Sequence, residues 1–452
     1  MAVIDALGPG GAYRPRKREL ITDVAGDPIA EMTIAPPLYV ARTVNAQRTV
    51  RPLPAEERDA ALMRAAKMFL SEEIAGLEFD RYVDLTSRVS GLPIAVTRAG
   101  AHSVAQQVAE IGESVPPARP VGAQRDWRDI RTGGAVWTRR GEVFGVHASG
   151  NAPGVHGLWP QALSLGYRVV VRPSRREPFT GQRLITALRE SGFRADDVSY
   201  LPTDYTGADE IIRAADLAMV YGGQDVVDKY AADPSVWVNG PGRAKILITE
   251  DRDWREHLDL IVESICAFGG TACVNATAVL YEGDASALAA AIAERLRALV
   301  AAPIADERAQ LPVTSTAAAQ SIAQFLRTRA AGTTPLLGAD HVVADFGDGT
   351  AALRPAVHLL AVADPVRLNT ELAFPCVWVS PWSRADGIGP LRQSIVVNAM
   401  TDDDRLIDEL VDDPTISNVY RGPYPTWHSS SQIPHDGFLA DFLMRNKGFV
   451  RG

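Results

Sequence analysis

The stretch VFGVHASGNAPGVHGLWPQALSLGYRVVVRPS, residues 143–174, decides the fold class. A β-branched run (VFGVHA, 143–148) gives way to a turn and a helical segment, and a second such run follows at RVVVRPS (168–174). The alternation continues through VSYLP (198–202) and LAMVYG (217–222). Short apolar runs separated by helical segments signal βαβ units, whose crossovers make a parallel sheet. A second rhythm begins near residue 245. KILIT (245–249) precedes a helix over about 252–268, where Leu258, Ile261, Val262, Ile265 and Cys266 share one face and Gly269 and Gly270 end it. AVLYEG (278–283), an Ala-rich helix at 285–300, CVWVSPW (376–382) and SIVVNAM (394–400) continue it. The spacing therefore predicts an α/β protein with two parallel-sheet domains.

Working outward, residues 1–50 mix Pro, Gly and charge with short apolar runs and read as an irregular arm or early strands. The first clear helix is expected over about 55–80, with Ala61, Leu62, Ala65, Ala66 and Phe69 at helical spacing. Residues 126–140 (DWRDIR…AVWTRR) read as a hairpin. That segment and the tail FLADFLMRNKGFVRG (438–452) leave apolar side chains exposed unless a partner subunit covers them. The 452 residues are 46% hydrophobic and 22% charged, with a net charge of −9, which suits a globular protein and lacks the basic stripe that nucleic acid requires. No stretch of about 20 apolar residues and no leader-like start is present, so a soluble cytoplasmic protein without a membrane span is expected. Three cysteines, with no CxxC or His cluster, point to neither a disulfide framework nor a metal site.

Of those cysteines, Cys273 lies in FGGTACVNATAV (268–279), a Gly-rich turn between a helix end and a strand. A loop thiol is accessible and can act as a thiolate nucleophile; a small buried hydrophobe is the equal alternative on position alone. Cys266, on an apolar helix face, and Cys376, within an apolar strand, fit the buried reading better.

Four blocks then lie in the order and spacing of an aldehyde dehydrogenase. Residues 145–174 resemble that family's Asn-x-Pro, helix, Gly and strand ending in a basic residue and Pro. LAMVYGGQDVVDKY (217–230) resembles the strand and turn that open the cofactor-binding helix. GGTACVNA (270–276) resembles the Gly-Gln-x-Cys block, and ELAFP (371–375) resembles the closing Glu-x-x-x-Pro. Over residues 50–450 the resemblance implies an aldehyde dehydrogenase-like α/β fold. A Rossmann-like dinucleotide domain would span 1–122 and 141–244, a catalytic domain 245–425, and an oligomerisation arm 123–140 with 426–452, in a homodimer or homotetramer. It implies Cys273 as nucleophile and Asn151 as the donor that, with the Cys273 N–H, stabilises an oxyanion. Read without the family, Asn151 is a turn residue before Pro153.

The resemblance also implies a nicotinamide dinucleotide. Arg172 stands where the family's strand-end lysine contacts the adenosine ribose, with Ser174 and Arg175 in the turn beyond it, and Gly223 and Gln224 match the Gly-Ser of a phosphate-binding helix start. Glu371 matches the glutamate that binds the nicotinamide ribose. Arg175 replaces the glutamate that many members carry, and with Arg172 and Arg176 it favours NADP(H) over NAD(H). Residue by residue the plainer readings are an ordinary Gly turn, a solvated arginine cluster and a surface carboxylate.

The chain departs from the pattern at VNGPGRAKILITED (238–251), where Asn239 and Gly240 fall in place of the glutamate that activates water in hydrolytic members. Thr271 replaces the usual Gln before the cysteine, and Gly222 the Thr of the cofactor turn. The missing base resembles the CoA-acylating branch, in which a thiol takes the acyl group. His147 and His156, which flank the Asn151 turn, read as strand-end and helix-surface residues, and Glu250 as an electrostatic cap. The leading expectation is NAD(P)-dependent interconversion of an aldehyde and an acyl thioester of CoA or an acyl carrier protein through Cys273, run as a reductase. Hydrolytic aldehyde oxidation and a non-catalytic scaffold are the alternatives.

Overall fold

A computed structural model describes all residues, 1–452. Its first large sheet has seven strands in the order Val236–Asn239, Leu217–Tyr221, Val143–His147, Arg168–Arg172, Val198–Tyr200, Ala6–Gly8 and Gly11–Tyr13. The first five are parallel and the last two antiparallel. The valine-rich runs are buried on both faces. Phe144, Val146, Val169 and Val171 enter the larger core, while Val143 and Val170 face helices Pro37–Arg48 and Tyr205–Ala214. Side chains alternate across a strand, so a strand covered on both faces must be apolar throughout. The chain leaves Val143–His147 in one direction and returns on its other side at Leu217–Tyr221, which creates a switch point between these strands.

The second sheet runs Thr334–Leu337, Ala356–Leu359, Cys376–Trp382, Ala276–Glu282, Ala244–Ile248, Ser394–Met400 and Ile416–Arg421, parallel except for the first strand. Leu247, Leu280, Trp378 and Val397 fill one face, and Ile246, Val279, Val377 and Met400 the other.

Several local expectations change. Helix Pro37–Arg48 lies in the segment read as an arm or strands, and its buried face carries Thr43 and Gln47 beside Val40 and Val44. The Gln47 amide nitrogen is held there, donating to Val169 O at 3.3 Å and Ser199 Oγ at 3.2 Å. The helix expected to reach residue 80 ends at Ser71, and a separate helix spans Phe79–Ser90. The helix expected over 252–268 is Leu258–Cys266 with a 3-10 turn at each end. Residues 126–140 form no hairpin. Gly133–Arg139 is one strand paired antiparallel with Met444–Val450, because the segment holds one β run and no second run for it to turn into. Residues 426–443, expected in the arm, pack within the chain: Thr426 is buried, and Leu439, Ala440 and Leu443 enter the core of the first domain. No helix is long and apolar enough to cross a membrane.

Candidate active site

The carboxyl ends of the first sheet meet the amino ends of the second, and the site is built from the loops between them. Helix Leu258–Cys266 anchors through buried Ile261 and Ile265 and is followed by three left-handed residues, Phe268 (φ 55°), Gly269 (φ 71°) and Gly270 (φ 68°). A side chain at Gly270 would lie 2.5 Å from Pro375 N, so glycine lets the ELAFP segment close on this turn. Buried Asn275 staples the loop: its Nδ2 donates to Ser264 O and Ala267 O, and its Oδ1 accepts from Ala272 N. Cys273 sits half-buried at the apex, and its N–H donates to no protein acceptor.

Gly242 lies directly behind Cys273, where an added Cβ would be 1.7 Å from the Cys273 carbonyl oxygen. Its N–H donates to Glu371 Oε2 at 3.1 Å. Burial, only partly offset by this bond and by Arg243, holds the Glu371 carboxyl above its usual range. Asn151 reaches the same loop from the first domain, donating from Nδ2 to Thr271 O at 3.4 Å and accepting from Ser149 Oγ at 2.6 Å. Asn151, Cys273 and Glu371 are thus gathered at one domain junction from a span of more than 200 residues of sequence.

Two residues that the sequence reading passed over complete the gathering. His435 Nε2 is 3.4 Å from Cys273 Sγ, and His435 Nδ1 is 3.2 Å from Asp436 Oδ2. Burial opposes charge on the imidazole, but the facing sulfur and Asp436 carry its pKa well above the ordinary value. A His-Asp pair in a polar loop was the only signal available. Asn239 is buried at the end of Val236–Asn239, and both polar atoms of its side chain lack a partner.

The aldehyde dehydrogenase family model matches residues 14–387. The chain belongs to the aldehyde dehydrogenase family. No curated protein matches it. Among solved structures, it is similar to gamma-glutamyl-gamma-aminobutyraldehyde dehydrogenase of Burkholderia cenocepacia, at 16% identity and TM-score 0.83 over 99% of this chain and 96% of that one. The aldehyde dehydrogenase KauB of Pseudomonas aeruginosa matches at 13% identity and TM-score 0.83, with 99% and 96% coverage. An indole-3-acetaldehyde dehydrogenase solved with NAD+ matches at 15% identity and TM-score 0.82, with 99% and 97% coverage. At these identities the likeness is one of fold.

Within this aldehyde dehydrogenase fold, the other expected residues divide. Arg172 ends its strand beside the switch point, half-buried, with its Nε unpartnered and its guanidinium 5.9 Å from the Tyr205 ring centroid. Ser174 Oγ accepts from Arg176 N and packs where a Gly150 side chain would stand. Arg175 is exposed and paired with Glu19 at 3.1 Å. Gly223 caps helix Gln224–Tyr230 without a side-chain bond, and Gln224 is engaged by Asp228 and Arg243. His147 bonds Ala208 O and His156 accepts from Trp159 Nε1, and burial drives both to about 3. Glu250 follows the carboxyl end of Ala244–Ile248, whereas Cys273 lies at the amino end of the same sheet. Burial raises the Cys266 thiol and pushes Cys376 up to about 12.

Proposed function

We propose that the protein interconverts an aldehyde and an acyl thioester through an acyl-enzyme on Cys273, acting as an acyl-thioester reductase with CoA or a carrier-protein phosphopantetheine as the thiol. The observation that carries this reading is Asn239. An amide in the place of the water-activating glutamate cannot take a proton at neutral pH, so hydrolysis loses an aid typically worth 10²–10⁴-fold, whereas a thiol acceptor needs less help. Asn151 Nδ2 and the free Cys273 N–H are the donors for the oxyanion of the tetrahedral adduct.

The site's edge suits a nicotinamide dinucleotide. The orphaned, half-buried Arg172 Nε and the helix start at Gly223, where no side chain occupies the first N–H groups, are donors suited to an anionic ligand. In this reading Arg172, Ser174, Arg175, Gly223, Gln224 and Glu371 hold it, and the arginines favour NADP(H). When bound, the dinucleotide supplies the hydride donor or acceptor. The protein's own residues hold the thiol and stabilise the oxyanion. We place the protein in the cytoplasm, in keeping with three free thiols, as a homo-oligomer whose second copy covers the exposed strand Met444–Val450.

Hydrolytic oxidation is the second reading, since an imidazole beside the sulfur could activate water. A panel of acyl-CoAs with NADPH and NADH, followed at 340 nm, tests the proposal. Oxidation of a reduced cofactor dependent on one acyl-CoA class and absent in Cys273→Ala is expected. Inactivity with every acyl thioester, alongside rapid thiol-independent aldehyde oxidation, would overturn it.

A further inference from the structure

The strand Ile416–Arg421 ends the second sheet, and the chain then returns across the domain junction before docking helix Leu439–Leu443 on the first domain. That return is what brings residue 435 to the nucleophile. Asn418, buried in the strand, fixes it by donating from Nδ2 to the His435 carbonyl. The imidazole is therefore aimed by the backbone, independently of its own side-chain bonds. Asp436 accepts at Nδ1, which places the neutral ring's proton there and leaves the Nε2 lone pair facing the sulfur. The histidine side chain keeps 38% exposure, so a substrate thiol can approach. The titratable groups around it are Cys273 from the loop, its neighbour Asp436, and Tyr221 from the first sheet. Burial, reinforced by Cys273 and Asp436, keeps that phenol protonated.

We propose that His435 is the acid–base catalyst of Cys273, with Asp436 as its positioning residue, and that it carries one proton between Cys273 and the external thiol during acyl exchange. This rests on Cys273 being the nucleophile of the preceding section. Toward the acyl-enzyme, His435 takes the Cys273 proton, the Sγ–acyl bond forms, the acyl–thiol bond breaks, and His435 returns the proton to the departing thiolate. In the opposite direction the incoming thiol gives its proton to His435 and Cys273 receives it as its acyl bond breaks. No electrons are exchanged in either step.

The test uses the full chain and a probe that needs no acyl substrate: iodoacetamide labelling of Cys273 between pH 5.5 and 10, read by mass spectrometry on the Cys273 peptide. In the wild type we expect fast labelling that persists to about pH 6. His435→Gln should slow labelling at least tenfold near pH 6.5 and converge with the wild type above pH 9.5. Asp436→Asn should fall between them. Because the backbone bond from Asn418 survives, thermal midpoints should stay within a few degrees, and His435→Asn serves as a second variant if glutamine fails to fold. Superimposable wild-type and His435→Gln profiles, or a wild-type Cys273 that does not react, would overturn the assignment. The expected profiles together with no turnover of any acyl thioester would sustain the dyad and defeat the acyl-thioester reading instead.

Discussion

Gly242→Ala offers a severe test of the site's geometry, because the atoms it would strike are backbone. The new Cβ would lie 1.7 Å from the Cys273 carbonyl oxygen, 2.4 Å from its carbon and 2.7 Å from its Cα, against a floor of 3.0 Å for real contacts. The two segments must therefore separate by at least about 1.3 Å, the difference between the floor and the shortest contact. Neither can rotate away, and the Gly242 N–H bond to Glu371 moves with them. A misplacement of about 1 Å at reacting groups costs roughly 10²-fold, and overpacking costs about 1–3 kcal/mol of stability. We expect kcat to fall about 10²-fold in the substrate assay, with a lower melting temperature by circular dichroism. Gly240→Ala is the comparison, since its Cβ would meet only a Val227 methyl at 2.8 Å, which can rotate; its kcat should change less than threefold. A Gly242→Ala enzyme within threefold of wild type at unchanged stability would refute the geometry.

Three further outcomes follow from named contacts. Asn151→Ala should lower kcat by roughly 10²–10³, the scale of one oxyanion donor, and a loss below threefold would leave Asn151 a turn residue. NADPH should bind more tightly than NADH by about 1–3 kcal/mol, and Arg175→Glu should erase the difference; equal wild-type Kd values by titration calorimetry would contradict this. Glu177 is fully buried, and burial raises its carboxyl from 4.5 to about 7. An acid with a raised folded-state pKa opposes folding increasingly as pH climbs from 4.5 to 7. Glu177→Gln should therefore gain stability over wild type across that window, by up to about 3 kcal/mol at pH 8, its amide facing the unpartnered His156 Nε2. Urea curves at pH 4.5 and 8 showing the same difference would contradict it.

The two parallel sheets were legible because strands such as Val143–His147 and Arg168–Arg172 are covered on both faces and must be apolar at every position. Helix Pro37–Arg48 was not, because Thr43 and Gln47 break its apolar stripe, and the Gln47 amide nitrogen finds its partners only in residues far along the chain. The pairing of Gly133–Arg139 with Met444–Val450 is long-range and carries no turn signature. Cys273, Asn151 and Glu371 stand out in the sequence through local motifs, and the fold brings the three to one loop cluster. His435 does not, since its approach to Cys273 across 162 residues is produced by the returning chain and by Asn418, not by any local pattern. Arg175 is paired with Glu19, a neighbour 156 residues away that a single stretch of sequence does not reveal.

In the proposed reaction the acyl group on Cys273 leaves to a thiol and not to water. Stopped-flow mixing of enzyme, oxidised cofactor and a turned-over aldehyde tests it most directly. A burst of one reduced cofactor per active site, a slow steady state, and a rise of at least about tenfold on adding CoA or a phosphopantetheinyl carrier protein are expected, equivalent to about 1.4 kcal/mol of barrier. A fast linear phase yielding free acid at full rate without any thiol would contradict it.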